Sequence, residues 1–428
     1  MILEFKIQNF LSFKDEVVYS FEATADKTLE DRYVVEVAPG VRILKLGIVY
    51  GANASGKSNL ISAFEFVRNF MGNPVKDKYE STGFVPFMFD KSKNQPGRFE
   101  LIFYTEGIKY SYILVLDDNN VYEEKLYYYP GTQPALIFNR YYDKENAVST
   151  IEFGSKLKVS KPAKDEYKIK TLKNMSFLAA SLQVNYTIPE IEKVVRWFTH
   201  QFFPPILPGI KLTQFSKDYL GRNEKAKEFA IKFMKDADYN ITDIVIEDVL
   251  REAPEEFLKI VQETNINKEE KERILKEKTV HIKKLAFEHE IELNGKKEKH
   301  LLPESFQSEG TLRYFGLSAP FYESLENNAF LSIDEVESSL HALLVNHLIR
   351  EFLMAGEDFK YAQLLVTTHN IALLAEKELL RKDAIWFVNK EADGHTSLYS
   401  MADFDMRKEL SFYKAYKIGK FGAIPNIE

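Results

Sequence analysis

A chain of 428 residues exceeds what one hydrophobic core ordinarily organises, and its 45% apolar share, with 33 Phe and 23 Tyr, excludes disorder as the main state. Its 57 Lys and Arg against 64 Asp and Glu leave a formal charge of −7, so nothing attracts a polyanion globally and any nucleic-acid contact is local. The absence of cysteine excludes disulfides and thiolate metal sites.

The N-terminal "MILEFKIQNF" carries charge within its first six residues and lacks the basic-then-apolar order of a secretory signal, which predicts a cytoplasmic protein. Leu3, Phe5 and Ile7 alternate with polar neighbours, as do "RFELIFYT" (Arg98 to Thr105) and "IKYSYILVLDD", so the first third is read as strand-rich. Between these strands, apolar "LGIVY" leads into "GANASGKS", after which Leu60, Phe64, Val67 and Met71 recur at helical spacing. A helix is therefore expected to start directly from the glycine loop.

The pattern turns helical from Ser176 to about Phe203 and again, beyond the turn "FFPPILPG", through "NEKAKEFAIKFMKDA", with Ala226, Phe229, Ala230 and Phe233 on one face. A strand-like "NITDIVIEDV", a charged helix "NKEEKERILKEKT" and a period-two "HIKKLAFEHEIEL" follow, and no heptad pattern persists long enough for a coiled coil. From Leu301 the predicted order is helix, buried strand "NNAFLSIDE", helix "VESSLHALLVNHLIREFLM", buried strand "YAQLLVTTH", helix, and strand "DAIWFVNK". Apolar strands alternating with helices imply a parallel sheet covered on both faces. The helical candidate Leu343 to Met354 is interrupted by Asn346, His347, Arg350 and Glu351, so no membrane span is expected. The expected division is an N-terminal lobe over 1–175, a mostly helical insertion over 176–300 and a C-terminal lobe over 301–428.

Gly51 to Ser58 fits G-x-x-x-x-G-K-[ST] without a mismatch. Small residues let such a loop curl so that several N–H groups point at one anion at a helix N-terminus. Gly51, Asn53, Ala54, Ser55, Gly56, Lys57, Ser58 and Asn59 are the candidate phosphate cradle, with Lys57 reaching the outer phosphates and the Ser58 hydroxyl reaching Mg²⁺. The apolar strand "AFLSIDE" ends in Asp334 and Glu335, where the first acid can support Mg²⁺ and the second can orient a water for in-line attack. A strand ending in Thr367-Thr368-His369 places an imidazole at the same expected sheet edge as Asp334, where it could sense the outer phosphate. Ser308-Glu309-Gly310-Thr311 reads as a helix N-cap by itself, and together with the other motifs as a second anion site using Ser308 and the Gly310 N–H. Seven lysines between Lys156 and Lys173 read first as a solvated face, and Asp403-Phe404-Asp405 as a loop.

This combination resembles the ABC-type ATPase superfamily, with its SMC, RecF and OLD-like branches. The stretches "IQNFLSF", "GANASGKSNL", "ESFQSEGTLRYFGL", "FLSIDEVESSLH", "QLLVTTHN", "AIWFV" and "GKFGAIPNI" resemble more narrowly the bacterial AAA-family ATPases of the RloA and AbiL kind. The resemblance covers both ends of the chain and rests mainly on position between about Lys156 and Leu301. It implies an α/β P-loop ATPase head of the ABC type, with an antiparallel β subdomain and an inserted region. It further implies that ATP and Mg²⁺ are held by Lys57, Ser58 and Asp334, that Glu335 polarises water, and that His369 is the switch histidine. Ser308 and Gly310 would reach the nucleotide of a second subunit, and Ser339 to His341 would lie where two heads meet. The signature reads Ser-Glu-Gly-Thr where the superfamily has Ser-Gly-Gly. Gln95 and "FVPFMFD" are two candidates for coupling nucleotide to the insertion. The family context implies a homodimer that governs an effector protein, a nuclease, in phage defence. A RecF- or SMC-like repair ATPase binding DNA directly is the rival reading, and a transporter ATPase subunit a weaker one.

Overall fold

Period-two alternation builds the first lobe. The computed structural model describes residues 1–143, 148–237, 239–264, 267–405 and 411–423. In chain order the strands are β1 (Ile2–Gln8), β2 (Val17–Ser20), β3 (Val34–Ala38), β4 (Val41–Leu44), β5 (Leu46–Tyr50), β6 (Gly97–Thr105), β7 (Ile108–Leu116), β8 (Val121–Tyr129), β9 (Ala135–Asp143) and β10 (Val148–Phe153). They continue with β11 (Ile241–Glu252), β12 (Thr279–Leu293), β13 (Lys296–Pro303), β14 (Phe330–Ile333), β15 (Gln363–Thr368), β16 (Ile385–Lys390) and β17 (Thr396–Ser400).

The chain forms two units, one of Met1–Ile210, Ser324–Ser338 and Ala342–Glu428, the other of Lys211–Glu323 and Ser339–His341. The first unit is α/β. Its antiparallel sheet runs β10-β9-β8-β7-β6-β1-β2, and its mixed sheet runs β14-β15-β5-β16-β17. In the mixed sheet β14 pairs parallel with β15, β15 with β5 and β5 with β16, and only β17 runs antiparallel. Strands β5, β14 and β15 are buried at every residue, which is why they read as unbroken apolar runs. The helix Lys57–Gly72 leaves the end of β5 and buries Leu60, Phe64, Val67 and Met71 as its spacing predicts. Phe64 packs on Phe5 of β1 at 4.4 Å and on Phe330 of β14 at 5.1 Å between ring centroids, so this helix joins the two sheets into one core. The buried side chain of Gln363 bonds Ile2 through both N–H and C=O and donates to the Leu44 carbonyl.

A buried ion pair fastens the outer antiparallel strands. Arg140 and Glu124 meet at 3.1 Å with no exposed surface on either side chain. Glu124 also accepts from the Tyr112 and Ser176 hydroxyls and the Phe177 N–H, while Arg140 donates to the Leu172 and Met175 carbonyls. Two charges this deep are tolerated because nearly every lone pair and proton is used.

The second unit carries the antiparallel sheet β11-β12-β13. Its helices are Thr213–Leu220, Glu224–Asp236, Glu255–Glu263, Lys268–Glu277 and the greater part of Glu309–Glu326. Phe233 stacks on Tyr314 at 4.3 Å with ring planes 1° apart, and Leu285 and Phe287 of β12 are buried.

Three expectations change. Within the stretch 176–300 read as mostly helical, the helices Phe177–Ser181 and Pro189–His200 belong to the first unit; β11 and β12 stand where strand-like segments were read, and β13 was not expected. Strand β13 is exposed at all eight residues, so it has no apolar alternation by which a sequence could announce it. The helix expected from Val336 starts at Ala342, because Glu335 and Ser339 adopt positive φ of 45° and 60° and turn the chain first. Beyond His369 a 3₁₀ turn, Ile371–Ala375, stands where a helix was expected, capped by the Asn370 side chain. No helix among the described residues is long and apolar enough to cross a membrane.

Candidate functional site

Because β5, β14 and β15 are parallel neighbours, their carboxyl ends open on one edge of the sheet. Gly51 follows β5, Asp334 follows β14 and His369 follows β15. Sequence order scatters these residues over more than three hundred positions, and pairing alone assembles them. In open α/β sheets this edge is where ligands bind.

The glycine loop is shaped by its floor. A Cβ on Gly51 would lie 2.4 Å from Ser55 Oγ and 2.6 Å from the Val388 side chain and carbonyl oxygen. Gly56 has φ +113° and a Cβ there would meet Thr396 Oγ1 at 2.4 Å. Both glycines are thus demanded by close approach, the second also by its dihedral. Thr396 donates to the Ser55 carbonyl at 2.8 Å and lies 2.7 Å from Ser12 Oγ, which also accepts from the Asn59 amide at 2.7 Å. Asn59 therefore braces the loop in this structure. Asn53, Ala54 and Ser58 are exposed, and Ala54 takes the left-handed conformation.

The helix Lys57–Gly72 has no side-chain cap, so its first-turn N–H groups meet no capping side chain. Lys57 is 6% exposed, and its ammonium donates to the Gly51 and Ala52 carbonyls at 2.8 and 3.1 Å. Burial lowers its pKa, opposed by the charges of Glu335, Asp334 and Glu337. An uncapped helix end, a buried ammonium and two buried-edge carboxylates fit a nucleotide's phosphates with a hard cation, for which the Ser58 and Asp334 oxygens are suitable donors.

Thr367 organises the acid pair. Its hydroxyl donates to the Asp334 carboxylate and accepts the Glu335 N–H at 2.8 Å. That second bond helps hold Glu335 at its positive φ of 45°. Glu337 accepts the His369 N–H at 2.7 Å and lies 2.8 Å from His369 Nδ1. Thr367, Glu337, Ser12 and Thr396 are residues that motif reading passed over. Their only signal is adjacency: Thr367 lies within "TTH", Glu337 two places beyond Glu335, and Ser12 inside "IQNFLSF".

In the second unit, Ser308 Oγ accepts the Thr311 N–H at 3.1 Å, an N-cap on the helix Glu309–Glu326. A Cβ on Gly310 would lie 2.9 Å from the Ser339 carbonyl oxygen, and Ser339 Oγ lies 3.3 Å from Glu309 Oε1. The turn Ser339–His341 thus belongs to the same unit as Ser308 and Gly310, while Ser338 before it belongs to the other.

Gln95 is exposed, and its carbonyl accepts from the buried amide of Asn9, which also receives the Phe87 N–H. The "IQNFLSF" turn is so bound to the "FVPFMFD" segment. The lysines from Lys156 to Lys173 lie around the helix Lys161–Lys170, whose lysines are exposed. Asp403 accepts the Ser400 N–H in a capping box, a local structural use. The terminal "GKFGAIPNI" lies beyond residue 423 for its last four residues, outside those described.

A protein family described as "AAA domain, putative AbiEii toxin, Type IV TA system" matches residues 48–169 and 202–375. Among solved structures, the SMC head domain from Thermotoga maritima is 16% identical, with 93% of this chain and 98% of that chain covered at a TM-score of 0.41. An SMC head bound to the C-winged helix domain of ScpA is 13% identical, with 97% and 99% covered at a TM-score of 0.44. No curated protein matches this chain.

Proposed function

This chain belongs to the AAA-domain family matched over residues 48–169 and 202–375, and from that premise we propose that it is an ATP-hydrolysing, dimeric switch. The observation that carries the reading is the meeting of Gly51 to Ser58, Asp334, Glu335 and His369 at one sheet edge. Lys57 and the N–H groups of the loop bind and orient the triphosphate. Ser58 and Asp334 hold Mg²⁺, which neutralises phosphate charge when bound. Glu335 orients the attacking water and accepts its proton, and His369 contacts the outer phosphate. Ser308 and the Gly310 N–H complete the site of a second copy, so that ATP is gripped between two heads, which part once it has been hydrolysed to ADP and phosphate. The unit of Met1–Ile210, Ser324–Ser338 and Ala342–Glu428 would then supply the phosphate loop, the acid pair and His369, and the unit of Lys211–Glu323 and Ser339–His341 would supply Ser308 and Gly310 and carry the nucleotide signal.

The switch serves a partner. This hydrolytic set stands without a second catalytic centre in the motif reading, and the family's description as a putative toxin of a toxin–antitoxin pair suits a protein acting with another gene product. The role proposed is control of an effector protein, a nuclease, in bacterial anti-phage defence within the cytoplasm. Glu335→Gln should bind ATP, fail to release phosphate, and elute as a dimer in size exclusion with ATP and Mg²⁺. A monomer under those conditions sinks the composite site. Duplex binding that weakens steeply between two salt concentrations in filter binding would instead favour direct action on DNA.

A further inference from the structure

Glu337 stands two residues beyond the acid pair and is turned inward, with 11% of its side chain exposed. Its Oε1 binds one histidine twice, accepting the His369 N–H at 2.7 Å and lying 2.8 Å from Nδ1. Its Oε2 is buried and has no hydrogen-bond partner among the described residues. The charged and polar groups around it come from three elements. Lys57 at the start of the post-loop helix feels its charge, as does Tyr50 at the end of β5, whose hydroxyl is buried and has no hydrogen-bond partner among the described residues. The third is His369 itself, at the end of β15.

A buried carboxylate loses hydration and persists only where hydrogen bonds and an opposite charge compensate. Here the compensation comes from the switch segment and, at longer range, from the loop lysine. Binding Nδ1 and the main chain together fixes the imidazole's orientation and leaves Nε2 as the nitrogen not engaged by Glu337, on a side chain that is 57% exposed. A carboxylate behind a working histidine sets its tautomer and direction without touching the substrate.

We propose that Glu337 is a positioning residue for phosphoryl transfer, fastening the turn after β14 to the turn after β15 and aiming His369 Nε2 at the outer phosphate. The proposal rests on the ATPase reading. It makes the histidine's placement depend on the same turn that carries Asp334 and Glu335, so acid pair and switch histidine move together.

The test uses the full chain and four variants: Glu337→Ala, Glu337→Gln, His369→Ala and the double variant Glu337→Ala/His369→Ala. Phosphate release gives kcat and KM, and a fluorescent ATP analogue gives nucleotide Kd. Glu337→Ala should lower kcat about 10- to 100-fold, the range for losing a residue that orients a working ligand. KM and Kd should stay within about threefold. Glu337→Gln, which keeps an acceptor oxygen, should lose less than Glu337→Ala, and adding Glu337→Ala to His369→Ala should cost no more than about twofold further. The proposal is overturned if kcat of Glu337→Ala stays within about twofold of wild type, if the two losses multiply, or if nucleotide affinity falls as far as kcat. Should circular dichroism show that Glu337→Ala does not fold, Glu337→Gln decides: a fall of about threefold or more, absent in the His369→Ala background, supports the proposal, and an unchanged kcat overturns it. A wild-type chain that releases no phosphate overturns the ATPase reading and this proposal with it. An active wild type with indifferent variants overturns the proposal alone.

Discussion

Thr367→Val tests whether the edge of the sheet is built as described. The side chain is fully buried, and valine matches its shape, so the substitution removes only the hydroxyl. Two bonds go with it, one donated to the Asp334 carboxylate and one accepted from the Glu335 N–H at 2.8 Å. A hydrogen bond to a charged group is worth about 1.5–3 kcal/mol, and a buried N–H left unsatisfied costs about 1–3 kcal/mol. Solvent reaches the half-buried Glu335, so the lower ends apply and the expected loss is about 2–4 kcal/mol. For a unit this large, at about 2 °C per kcal/mol, the thermal midpoint should fall by roughly 4–8 °C. Glu335 would also lose a bond that holds its positive φ of 45°, so kcat should fall by about tenfold or more with nucleotide affinity less affected. Thr367→Ser keeps the hydroxyl and loses one buried methyl, a cost of about 1 kcal/mol, and should keep kcat near wild type. Differential scanning fluorimetry and a phosphate-release assay read both quantities. If Thr367→Val melts within about 1 °C of wild type and turns over normally, the hydroxyl does not organise the acid pair.

Two further outcomes concern charge. Lys57→Met should abolish binding of a fluorescent ATP analogue yet melt no lower than wild type without nucleotide. Burial lowers the Lys57 pKa below its ordinary 10.5, so its charged form costs stability at neutral pH, and that cost fades as pH rises through the folded value towards 10.5. The gain in midpoint of the variant should therefore shrink between neutral pH and about 10.5, and a gain that grows instead would contradict the sign. Asp90, bonded to Lys14, and Asp393, bonded to His395 and Lys14, both have pKa values pulled down from 3.8 to about 2. Their contribution to stability is whole above 3.8 and lost as pH falls through about 2. Lys14→Ala should shift the acid-unfolding midpoint, followed by tryptophan fluorescence, to higher pH, and an unchanged midpoint would show that these surface pairs carry no linkage.

How much of this was legible in advance varies with the physics of each part. The loop Gly51 to Ser58 is a local device, since curvature, glycine conformation and the following helix are all encoded within a dozen residues. Buried parallel strands announce themselves too, because both faces are covered and β5, β14 and β15 read as apolar runs. Strand β13 escaped because all its residues face solvent, and the 3₁₀ turn Ile371–Ala375 was read as a helix because 3₁₀ and α turns repeat apolar residues at nearly the same spacing.

The sequence alone determined the class of fold and named the candidates for the site, the loop Gly51 to Ser58, the acids Asp334 and Glu335, and His369. Only tertiary structure decided their arrangement. Pairing β14 with β15 and β15 with β5 brings residues 51, 334 and 369 to one edge, a consequence of strand order that no local pattern carries. The same holds for the helpers. Thr367, Glu337, Thr396 and Ser12 are ordinary residues in sequence, and they gain meaning because a hydroxyl or carboxylate there lies within bonding distance of a loop remote along the chain.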